Sequence, residues 1–554
     1  MSGGLISGIG KGTTAAAIGL LLQSAGYKVI PLKFENYLNI DAGTINPIEH
    51  GDPFLCWDGC EGDMDLGSYE KTLNINLGKQ NFITMGQIYQ HIIEKERRFE
   101  FNGEDVDPIP YIPNEIIERI ETAANASKAD IVTIELGGTA GEYQNVFYYE
   151  ASRMLAWRHP GDVIHVHVSY VPTPAHLGEP KTKPTQLSIK TLNSMGIQPD
   201  FVVARSERML DQRRKDKLAM ASNMLTDHII SNPDLPSVYE IPLVLHEQKM
   251  DRALMKALKL PIKQVKLREW KKLCTRIKKK KSRTITIAIV GKYFATGEYQ
   301  LRDAYAALFD AIDHASWATD VKVQTKWVSA EKVEKNGAKA EIGTPDGIIV
   351  PIGWGERGAE GMIQAATYAR ENKIPYLGLC YGMQLAAVSF ARSVIGWKDA
   401  NTEENDKKTI HDVIHLMPSQ KTHMELRAYG GTMRLGEWEA IVKPGTIAWE
   451  SYAKYGRGIN TLDKKTGMTS ERHRHRFEFN DDFVKEFEKA GLIISARSKV
   501  EKLAEIIELP RDVHPFFVGT QGHPEYKSRP LSPHPIFVSY LLACKAEAEH
   551  KLPH

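Results

Sequence analysis

Short apolar runs alternate with amphipathic stretches along the whole chain, and this alternation predicts an α/β fold. In the first half, the apolar runs predict buried strands at residues 27–32, 130–134, 163–168 and 201–203. The stretches between them have the spacing of helices. Strands that alternate with helices indicate a parallel sheet with helices on both faces.

A basic stretch at residues 271–283, with four consecutive lysines at 278–281, follows this first half. A lysine run without interleaved aromatic residues is typical of a solvated linker rather than of a nucleic-acid site. The alternation then resumes, with strands predicted at residues 284–291, 347–351 and 375–379. We therefore predict two α/β domains at 1–265 and 284–545, a basic linker at 266–283 and a tail at 546–554.

Composition narrows the class of protein. The 554 residues are 42% hydrophobic and 25% charged, with a net charge of +2, which is typical of a globular protein without a strong attraction to nucleic acid or membrane. No apolar run is long enough to span a bilayer, and no signal peptide is recognised. The five cysteines form no metal-like double pair, because Cys56 and Cys60 have no second pair to match them. We expect reduced thiols in a cytoplasmic protein.

The most informative motif surrounds Cys380. Glycines at 378 and 382 flank the cysteine, between a predicted strand at 374–377 and a predicted helix at 383–390. Such spacing favours a sharp strand-to-helix turn that exposes a nucleophile. Far downstream, His523 and Glu525 are two residues apart and would share one face of a strand. The three residues predict a nucleophilic triad.

A second candidate site opens the chain. The glycine-rich stretch 3–14 precedes an alanine-rich helical run, as in loops whose N–H groups bind phosphate. It departs from the strict Walker pattern at Leu5 and Gly12. Acids at 58–65, and Glu135 at the end of a predicted strand, suit Mg²⁺ that bridges phosphates. The segment Lys181-Thr182-Lys183-Pro184-Thr185-Gln186 suits a second polyanion.

Together these residues resemble the CTP synthase family, the glutamine-hydrolysing CTP synthetases, from Gly3 to about Leu542. The second half also resembles class I glutamine amidotransferases. The most specific matches are Tyr37-x-Asn39-x-Asp41-x-Gly43-Thr44, Asp63-x-Asp65-x-Gly67-x-Tyr69-Glu70, Glu135-x-Gly137-Gly138-Thr139-x-Gly141, residues 181–186, residues 431–436 and residues 472–476. The resemblance implies a P-loop-like parallel-sheet amidoligase domain followed by an amidotransferase domain.

The resemblance also implies an activity: ATP phosphorylates O4 of UTP, and ammonia from glutamine then displaces the phosphate to give CTP. Cys380, His523 and Glu525 are implied as the catalytic residues of glutamine hydrolysis. Asp65 and Glu135 are implied as Mg²⁺ ligands. The implied ATP contacts are Gly8, Ile9, Gly10, Lys11, Gly12, Thr13, Lys33 and Asp65. The implied UTP or CTP contacts are Ser7, Glu142, Tyr143, Gln144, Lys181, Thr182, Lys183, Pro184, Thr185, Gln186 and Lys217.

The implied glutamine contacts are Gly353, Tyr381, Gly382, Met383, Gln384, Glu404 and Arg474, with N–H groups of Gly353 and Tyr381 as oxyanion donors. The family further implies activation by GTP, feedback inhibition by CTP, a homotetramer and a tunnel for ammonia. The alternating His and Arg residues at 472–476 are read as a substrate lid rather than as a metal or RNA site.

The chain departs from the family pattern at its start, where the usual apolar strand before the first glycines is missing. A central strand lost from a parallel sheet would leave its neighbours without ladder partners. Either the start of the sequence is misassigned or trimmed, or the first half is impaired, which would favour a nucleotide-binding or glutaminase-only scaffold. A second rival stays open independently of this strand: another ATP-dependent amidoligase with the same triad, although residues 181–186 argue against it. Ile352 and Gly522 also depart from the family. Ile352 would restrict a positive φ beside the oxyanion donors, and Gly522 would loosen the packing of His523.

Overall fold

The computed structural model describes residues 1–4, 6–296, 299–300, 302–427 and 429–550. These residues form two compact units. Unit 1 comprises Met1–Asp41 and Asp65–Ile277, and unit 2 comprises Ala42–Met64 and Lys278–His554. Leu5, the first departure from the Walker pattern, and the last four residues of the predicted tail lie outside the described residues.

The strands are β1 (Ser2–Gly3), β2 (Val29–Glu35), β3 (Phe54–Leu55), β4 (Glu61–Gly62), β5 (Phe82–Thr84), β6 (Ile131–Leu136), β7 (Val166–Tyr170), β8 (Phe201–Ser206), β9 (Ile229–Pro233), β10 (Arg283–Gly291), β11 (Ala295–Thr296), β12 (Tyr299–Gln300), β13 (Val321–Ser329), β14 (Gly347–Val350), β15 (Tyr376–Leu379), β16 (Asn401–Thr402), β17 (Asp412–Leu416), β18 (Arg434–Val442), β19 (Met468–His475), β20 (Phe477–Phe479), β21 (Ile493–Ser498), β22 (Ala504–Glu508) and β23 (Phe517–Thr520).

The α-helices are α1 (Lys11–Ser24), α2 (Pro47–His50), α3 (Met64–Leu73), α4 (Met85–Arg97), α5 (Pro108–Ser127), α6 (Val146–Arg158), α7 (Lys183–Ser194), α8 (Gln212–Ser222), α9 (Ile241–Glu247), α10 (Met250–Ala257), α11 (Arg268–Lys278), α12 (Ala306–Thr319), α13 (Ala330–Asn336), α14 (Ala338–Ile342), α15 (Ala359–Glu371), α16 (Tyr381–Phe390), α17 (Lys421–Glu425), α18 (Ile447–Tyr455), α19 (Val484–Lys489), α20 (Pro524–Lys527) and α21 (Pro535–His550).

Unit 1 is built on two parallel sheets, with strand orders β1-β7-β8-β9 and β5-β2-β6. The predicted parallel α/β architecture is therefore confirmed. The predicted strands coincide with β2, β6, β7 and β8 to within three residues at their starts. Apolar side chains from these strands pack against the flanking helices, as in the cluster that joins Leu32 and Phe34 to Ile116.

The start of the chain lies where the two sheets of unit 1 approach each other. Met1 pairs with β6, because its N–H group donates to Ile134 O at 2.5 Å and its carbonyl accepts from Leu136 N at 3.0 Å. Ser2 and Gly3 pair with β7 on the other side. This is the hydrogen bonding of a central strand, but it extends over very few residues.

Beyond Met1, an apolar cavity of about 480 Å³ separates the open edges of β6 and β7. Its lining includes Ile131, Val132 and Val166, together with Leu254 and Leu258 from α10 and its end. Burial lowers the pKa of the Met1 amino group to about 6, although Glu135 opposes this shift. The edges of β6 and β7 face each other across this cavity.

Unit 2 contains a nine-stranded sheet of order β13-β10-β14-β15-β23-β22-β21-β18-β19. The pairs from β13 to β23 are parallel, and those from β23 to β19 are antiparallel. Apolar clusters cover both faces of the sheet. The carboxyl ends of β10, β14 and β15 meet at one edge, where open α/β sheets place their ligands.

The predicted linker region contains a helix. In α11, Trp270 and Leu273 are buried, and the Trp270 indole donates to Tyr239 O at 2.7 Å. Residues 268–277 of this helix belong to unit 1, and its last residue, Lys278, starts the second segment of unit 2. The predicted domain boundaries stay predictions. Separately, none of the helices in the described part of the chain has the length and apolarity that crossing a membrane requires.

Candidate functional site

Cys380 occupies a strained turn between β15 and α16, as the spacing of its flanking glycines predicts. Its φ is +51°, a conformation that a residue with a side chain rarely adopts. An added Cβ at Gly378 would lie 2.7 Å from the Gly382 backbone, and one at Gly382 would meet Val350 O. Both glycines are therefore required for the turn to pack against β14.

His523 and Glu525 lie beside Cys380, but not on the strand that their spacing predicts. β23 ends at Thr520, His523 precedes the first residue of α20, and Glu525 is in the first turn of that helix. The strand prediction is wrong because Pro524 starts a helix there. The contact nevertheless forms, since His523 Nδ1 lies 2.8 Å from Glu525 Oε1.

The electrostatics of this trio favour a charged imidazole. Burial opposes the charge on His523, but the negative charges of Glu525 and of the Cys380 sulfur after it gives up its proton outweigh burial and raise the pKa of His523 to about 10. Because Glu525 holds Nδ1, the ring presents Nε2, which makes no conventional hydrogen bond to a described residue. This nitrogen is available to exchange a proton with the Cys380 thiol.

Residues from three other parts of the chain hold the loop after β14. Glu404 accepts the Gly355 N–H at 2.8 Å, and the Tyr381 hydroxyl donates to Gly355 O at 2.9 Å. Lys292, directly after β10, donates to the carbonyls of Trp354 and Gly355, both at 2.7 Å. An added Cβ at Gly353 would lie 2.8 Å from the Lys292 side chain. These contacts fix the loop that carries a predicted oxyanion donor.

Glutamine hydrolysis, the activity that the resemblance implies for this site, should therefore decline above about pH 8. Burial lowers the pKa of Lys292 to about 8, despite the opposing charge of Glu404. The ammonium that holds the two carbonyls is present below this pH and lost above it. Glutamate release measured from pH 6 to pH 10 should show this decline, and Lys292→Met should show low activity without it. An unchanged decline in Lys292→Met would refute the assignment.

Arg474 points its side chain at two acids of the Ala42–Met64 segment. Its guanidinium lies 2.6 Å from Glu61 Oε1 and 3.1 Å from Asp52 Oδ1, and it is buried. Burial would lower the pKa of Arg474, but these carboxylates raise it. Arg474 thus already has two ionic partners within unit 2. Its contact with glutamine stays a prediction.

The other predicted glutamine contacts differ in orientation. Met383 packs against Gly519, and Gln384 bonds to Phe477 O and Gln521, so both side chains are buried inside unit 2.

The two departures from the family pattern in unit 2 can be compared with the structure. Ile352 is buried without a positive φ, so the restriction expected there does not arise. Gly522 has no room for an aromatic group, because an added Cβ would lie 2.7 Å from Glu471 Cβ. The looser packing expected of His523 is therefore wrong, since the ring is fully buried.

In unit 1, the glycine-rich loop leads directly into α1. Gly8 and Gly10 have φ values of +70° and +78°, and Gly10 precedes the helix. Their conformations turn the loop so that it ends at a helix N-terminus, the usual place for phosphate. Lys11 donates to Gly138 O at 2.9 Å, which places its ammonium near the end of β6. Ser7 is exposed at the start of the loop.

An acidic cluster lies beside this loop. Lys33 Nζ contacts Asp65 Oδ2 at 2.6 Å, Glu135 Oε1 at 3.1 Å and Glu35 Oε1 at 3.2 Å. Tyr69 donates to the other oxygen of Glu135. Burial and the charge of Asp65 raise the pKa of Glu135 to about 7, although Lys33 opposes this shift. The cluster unites the predicted metal ligands with the predicted phosphoryl contact.

Gly12 replaces the hydroxyl residue of the Walker pattern because Asp65 fills the space beside it. An added Cβ at Gly12 would collide with the Asp65 carboxylate. Gly12→Ser should displace this carboxylate and lower ammonia-dependent CTP formation by at least about tenfold. Gly430→Ser is the matched control, since an added Cβ there finds its nearest atom at 3.6 Å. Equal activity in both variants would contradict the prediction.

The predicted pyrimidine nucleotide contacts fall in two groups. Glu142 accepts from Thr139 N at 2.7 Å and from Asn36 Nδ2 at 3.1 Å, so it braces the turn after β6. Tyr143 and Gln144 are exposed.

The second group is the 181–186 segment together with Lys217. Lys181 pairs with Glu179, and Thr185 donates to Tyr170 O at 2.9 Å. Lys183, Pro184 and Gln186 belong to the first turns of α7, after Thr182, whereas Lys217 is exposed on α8.

The sequence predictions missed four residues that contact predicted site residues or their loops. Gln521 contacts Cys380, Lys292 holds the loop after β14, Tyr69 donates to Glu135, and Arg214 donates to Glu179 at 2.9 Å. Lys292 follows a predicted strand end directly, so its place at the ligand edge was a usable signal. Gln521 has no such signal, because its role depends on contacts with residues distant in sequence.

Comparisons with known proteins cover the chain in two parts. A family model described as CTP synthase N-terminus matches residues 1–260, and one described as Glutamine amidotransferase class-I matches residues 300–543. A CTP synthase of Caldanaerobacter subterraneus subsp. tengcongensis is 44% identical over 544 residues, 98% of this chain and 97% of that protein. One of Pyrococcus abyssi is 44% identical over 553 residues, 100% of this chain and 98% of that protein. The solved glutaminase domain of Trypanosoma brucei CTPS, with bound acivicin, is 34% identical with a TM-score of 0.41, over 47% of this chain and 94% of that chain.

Proposed function

Because the chain belongs to the CTP synthase family, whose members make CTP from UTP with a glutamine amidotransferase domain, we propose that its two units divide this reaction. ATP, UTP and glutamine are the substrates of this C–N ligase of pyrimidine biosynthesis. Unit 2 would release ammonia from glutamine, and unit 1 would use ATP to activate UTP. The sum is UTP, ATP, glutamine and water to CTP, ADP, phosphate and glutamate.

One observation carries the assignment of unit 2: a strained cysteine with a buried His–Glu pair beside it. The Cys380 thiol would give its proton to His523 Nε2 as sulfur attacks the side-chain amide carbon of glutamine. His523 would then protonate the departing ammonia, while Glu525 holds the ring. Water would hydrolyse the thioester to glutamate. Gly353 and Tyr381 are proposed as N–H donors to the oxyanion.

The substrate end of this site is proposed from charge. Glu404 is the acid proposed to attract the glutamine ammonium, and Arg474 is the cation proposed for its carboxylate. Burial raises the pKa of Glu404, so a bound cation would favour its charged form. Binding at Arg474 requires glutamine to compete with Asp52 and Glu61 for the guanidinium.

In unit 1, Lys11 and Lys33 are proposed to neutralise phosphate charge, with the loop N–H groups of residues 8–13 around it. Asp65 and Glu135 would offer Mg²⁺ the carboxylate oxygens that it prefers, and the ion would compete for them with the Lys33 ammonium that now contacts both. No set of three or more His, Cys, Asp or Glu side chains arranged for a metal was found among the described residues. The ion would therefore need phosphate oxygens or water, and when bound it would offset charge on the transferred group.

The remaining family properties are part of the same proposal. The basic segment 181–186 supports a site for the UTP triphosphate, with CTP as a competing feedback inhibitor. Activation by GTP, a homotetramer and a cytoplasmic location are proposed from the family resemblance and the composition rather than from a contact in this chain.

The test is a CTP assay with ATP, Mg²⁺ and UTP, supplied in parallel with glutamine or with ammonia. CTP from both nitrogen sources is the expected result. Glutamate without CTP from either source would instead favour the glutaminase-only scaffold. Product formation that needs ATP but not UTP would favour another amidoligase, and no turnover at all would favour a nucleotide-binding scaffold.

A further inference from the structure

Gln521 lies against the sulfur of Cys380, with its side-chain Nε2 3.5 Å from Sγ. We propose that Gln521 is a further catalytic residue of the glutaminase centre, which donates a hydrogen bond to the sulfur, and that Gln384 is a positioning residue that orients it. This inference rests on the proposed role of Cys380. It names a second, neutral donor to the negative sulfur, beside the His523 imidazolium of the triad.

The orientation of the Gln521 amide follows from its neighbours. Gln384 Nε2 lies 2.8 Å from Phe477 O, and a backbone carbonyl only accepts hydrogen bonds. The NH₂ group of Gln384 must therefore face this carbonyl. The same NH₂ group lies 3.1 Å from Gln521 Oε1, so the oxygen of Gln521 faces Gln384. The NH₂ group of Gln521 is then directed at Sγ.

The position of Gln521 is fixed in the backbone as well. The backbone N–H of Gln521 donates to Glu505 O at 2.8 Å. The carbonyl of the preceding residue, Thr520, accepts from the Cys380 N–H at 2.7 Å. The side chains of Gln384, Gln521 and Cys380 are 3%, 1% and 2% exposed. Water therefore contributes little to the solvation of the sulfur, and a buried anion needs donors from the protein.

The other groups around Sγ do not provide this donor. The Arg474 carbonyl, 3.8 Å away, accepts from the thiol but repels a thiolate. His523 removes the proton and attracts the resulting anion. As the S–H proton passes to His523 Nε2, negative charge develops on sulfur, and only the Gln521 amide among these three groups responds with a neutral N–H donor. The hydrogen bond from Gln521 to the sulfur can also persist while sulfur bonds to the amide carbon of glutamine and ammonia leaves.

The experiment measures alkylation of Cys380 by a chloromethyl ketone analogue of glutamine, followed by mass spectrometry of the intact protein. Gln521→Glu keeps the shape but removes the donor, and Gln521→Leu removes it without adding charge. Both should lower the alkylation rate at pH 7 by about tenfold, since hydrogen bonds to charged groups are strong. The fall should lie in the maximal alkylation rate at saturating reagent, and the half-saturating reagent concentration should stay within about twofold of wild type.

Gln384→Met should give a smaller fall at pH 7, about threefold, because the Gln521 amide loses the partner that fixes its orientation. Gln420→Leu is the matched control: Gln420 is a buried amide of unit 2, bonded to Arg476 at 2.6 Å, and its loss should leave alkylation unchanged. Unchanged alkylation at pH 7 in both Gln521 variants would overturn the proposal. So would a fall that lies only in the half-saturating reagent concentration, which indicates damaged reagent binding rather than a less reactive sulfur. Wild-type protein that resists alkylation would overturn the role of Cys380 itself.

Discussion

Replacing Cys380 with alanine is expected to stop CTP formation from glutamine and to spare CTP formation from ammonia. The fall with glutamine should be at least about 10³-fold in kcat, as expected when a covalent nucleophile is removed. With ammonia, the rate should stay within about twofold of wild type, because free ammonia replaces the product of the lost step. Both rates are measured by following CTP under saturating ATP and UTP.

The control for this variant is Cys544→Ala. Cys544 is a buried cysteine on α21 in the same unit, so its replacement removes a similar volume away from the strained turn. It should keep both activities. If Cys544→Ala loses glutamine-dependent activity to the same degree, the effect reports packing of unit 2. If Cys380→Ala keeps it, sulfur is not the nucleophile.

Adding an apolar strand before Met1 is expected to stabilise unit 1. Five β-branched residues fused upstream of Met1 would enter the cavity of about 480 Å³ and pair with the open edges of β6 and β7. Filling even part of this volume with apolar side chains should contribute about 3 kcal/mol and raise the midpoint of thermal unfolding by about 5 °C. The fusion also replaces the buried Met1 amino group, which burial disfavours in its charged form, with a peptide N–H.

A fusion of five glycine and serine residues serves as the control, since it has the same length but little tendency to form a buried strand. Differential scanning calorimetry compares the two, and ATP binding should tighten in the apolar fusion alone, because the phosphate loop follows β1 directly. Equal unfolding midpoints in both fusions would show that the cavity does not accept a strand.

The elements that the sequence predicts well are those with a local cause. The strands of both units follow from apolar runs, and the turn at Cys380 follows from two glycines that no other residue can replace. The sequence predicts correctly that His523 and Glu525 lie close together, but not the backbone conformation that brings them together. A spacing of two residues fits both a strand and the start of a helix.

Distant contacts explain what the sequence does not reveal. Gly12 departs from the Walker pattern because Asp65 fills its space, and no local feature of the loop announces this. The partners of Arg474 are separated from it by more than 400 residues along the chain, as |i−j| is 413 for Glu61 and 422 for Asp52. A single sequence gives no means of pairing such residues.

Because the Ala42–Met64 segment belongs to unit 2, the glutaminase unit is made of two stretches that are separated along the sequence. A fragment that starts at Lys278 would omit Asp52 and Glu61 and leave the buried guanidinium of Arg474 without its carboxylates. Breaking such a buried pair costs about 3–5 kcal/mol, a large share of the stability of a domain. Expression of this unit in isolation should therefore include residues 42–64, joined to residue 278 by a short linker or supplied as a separate peptide.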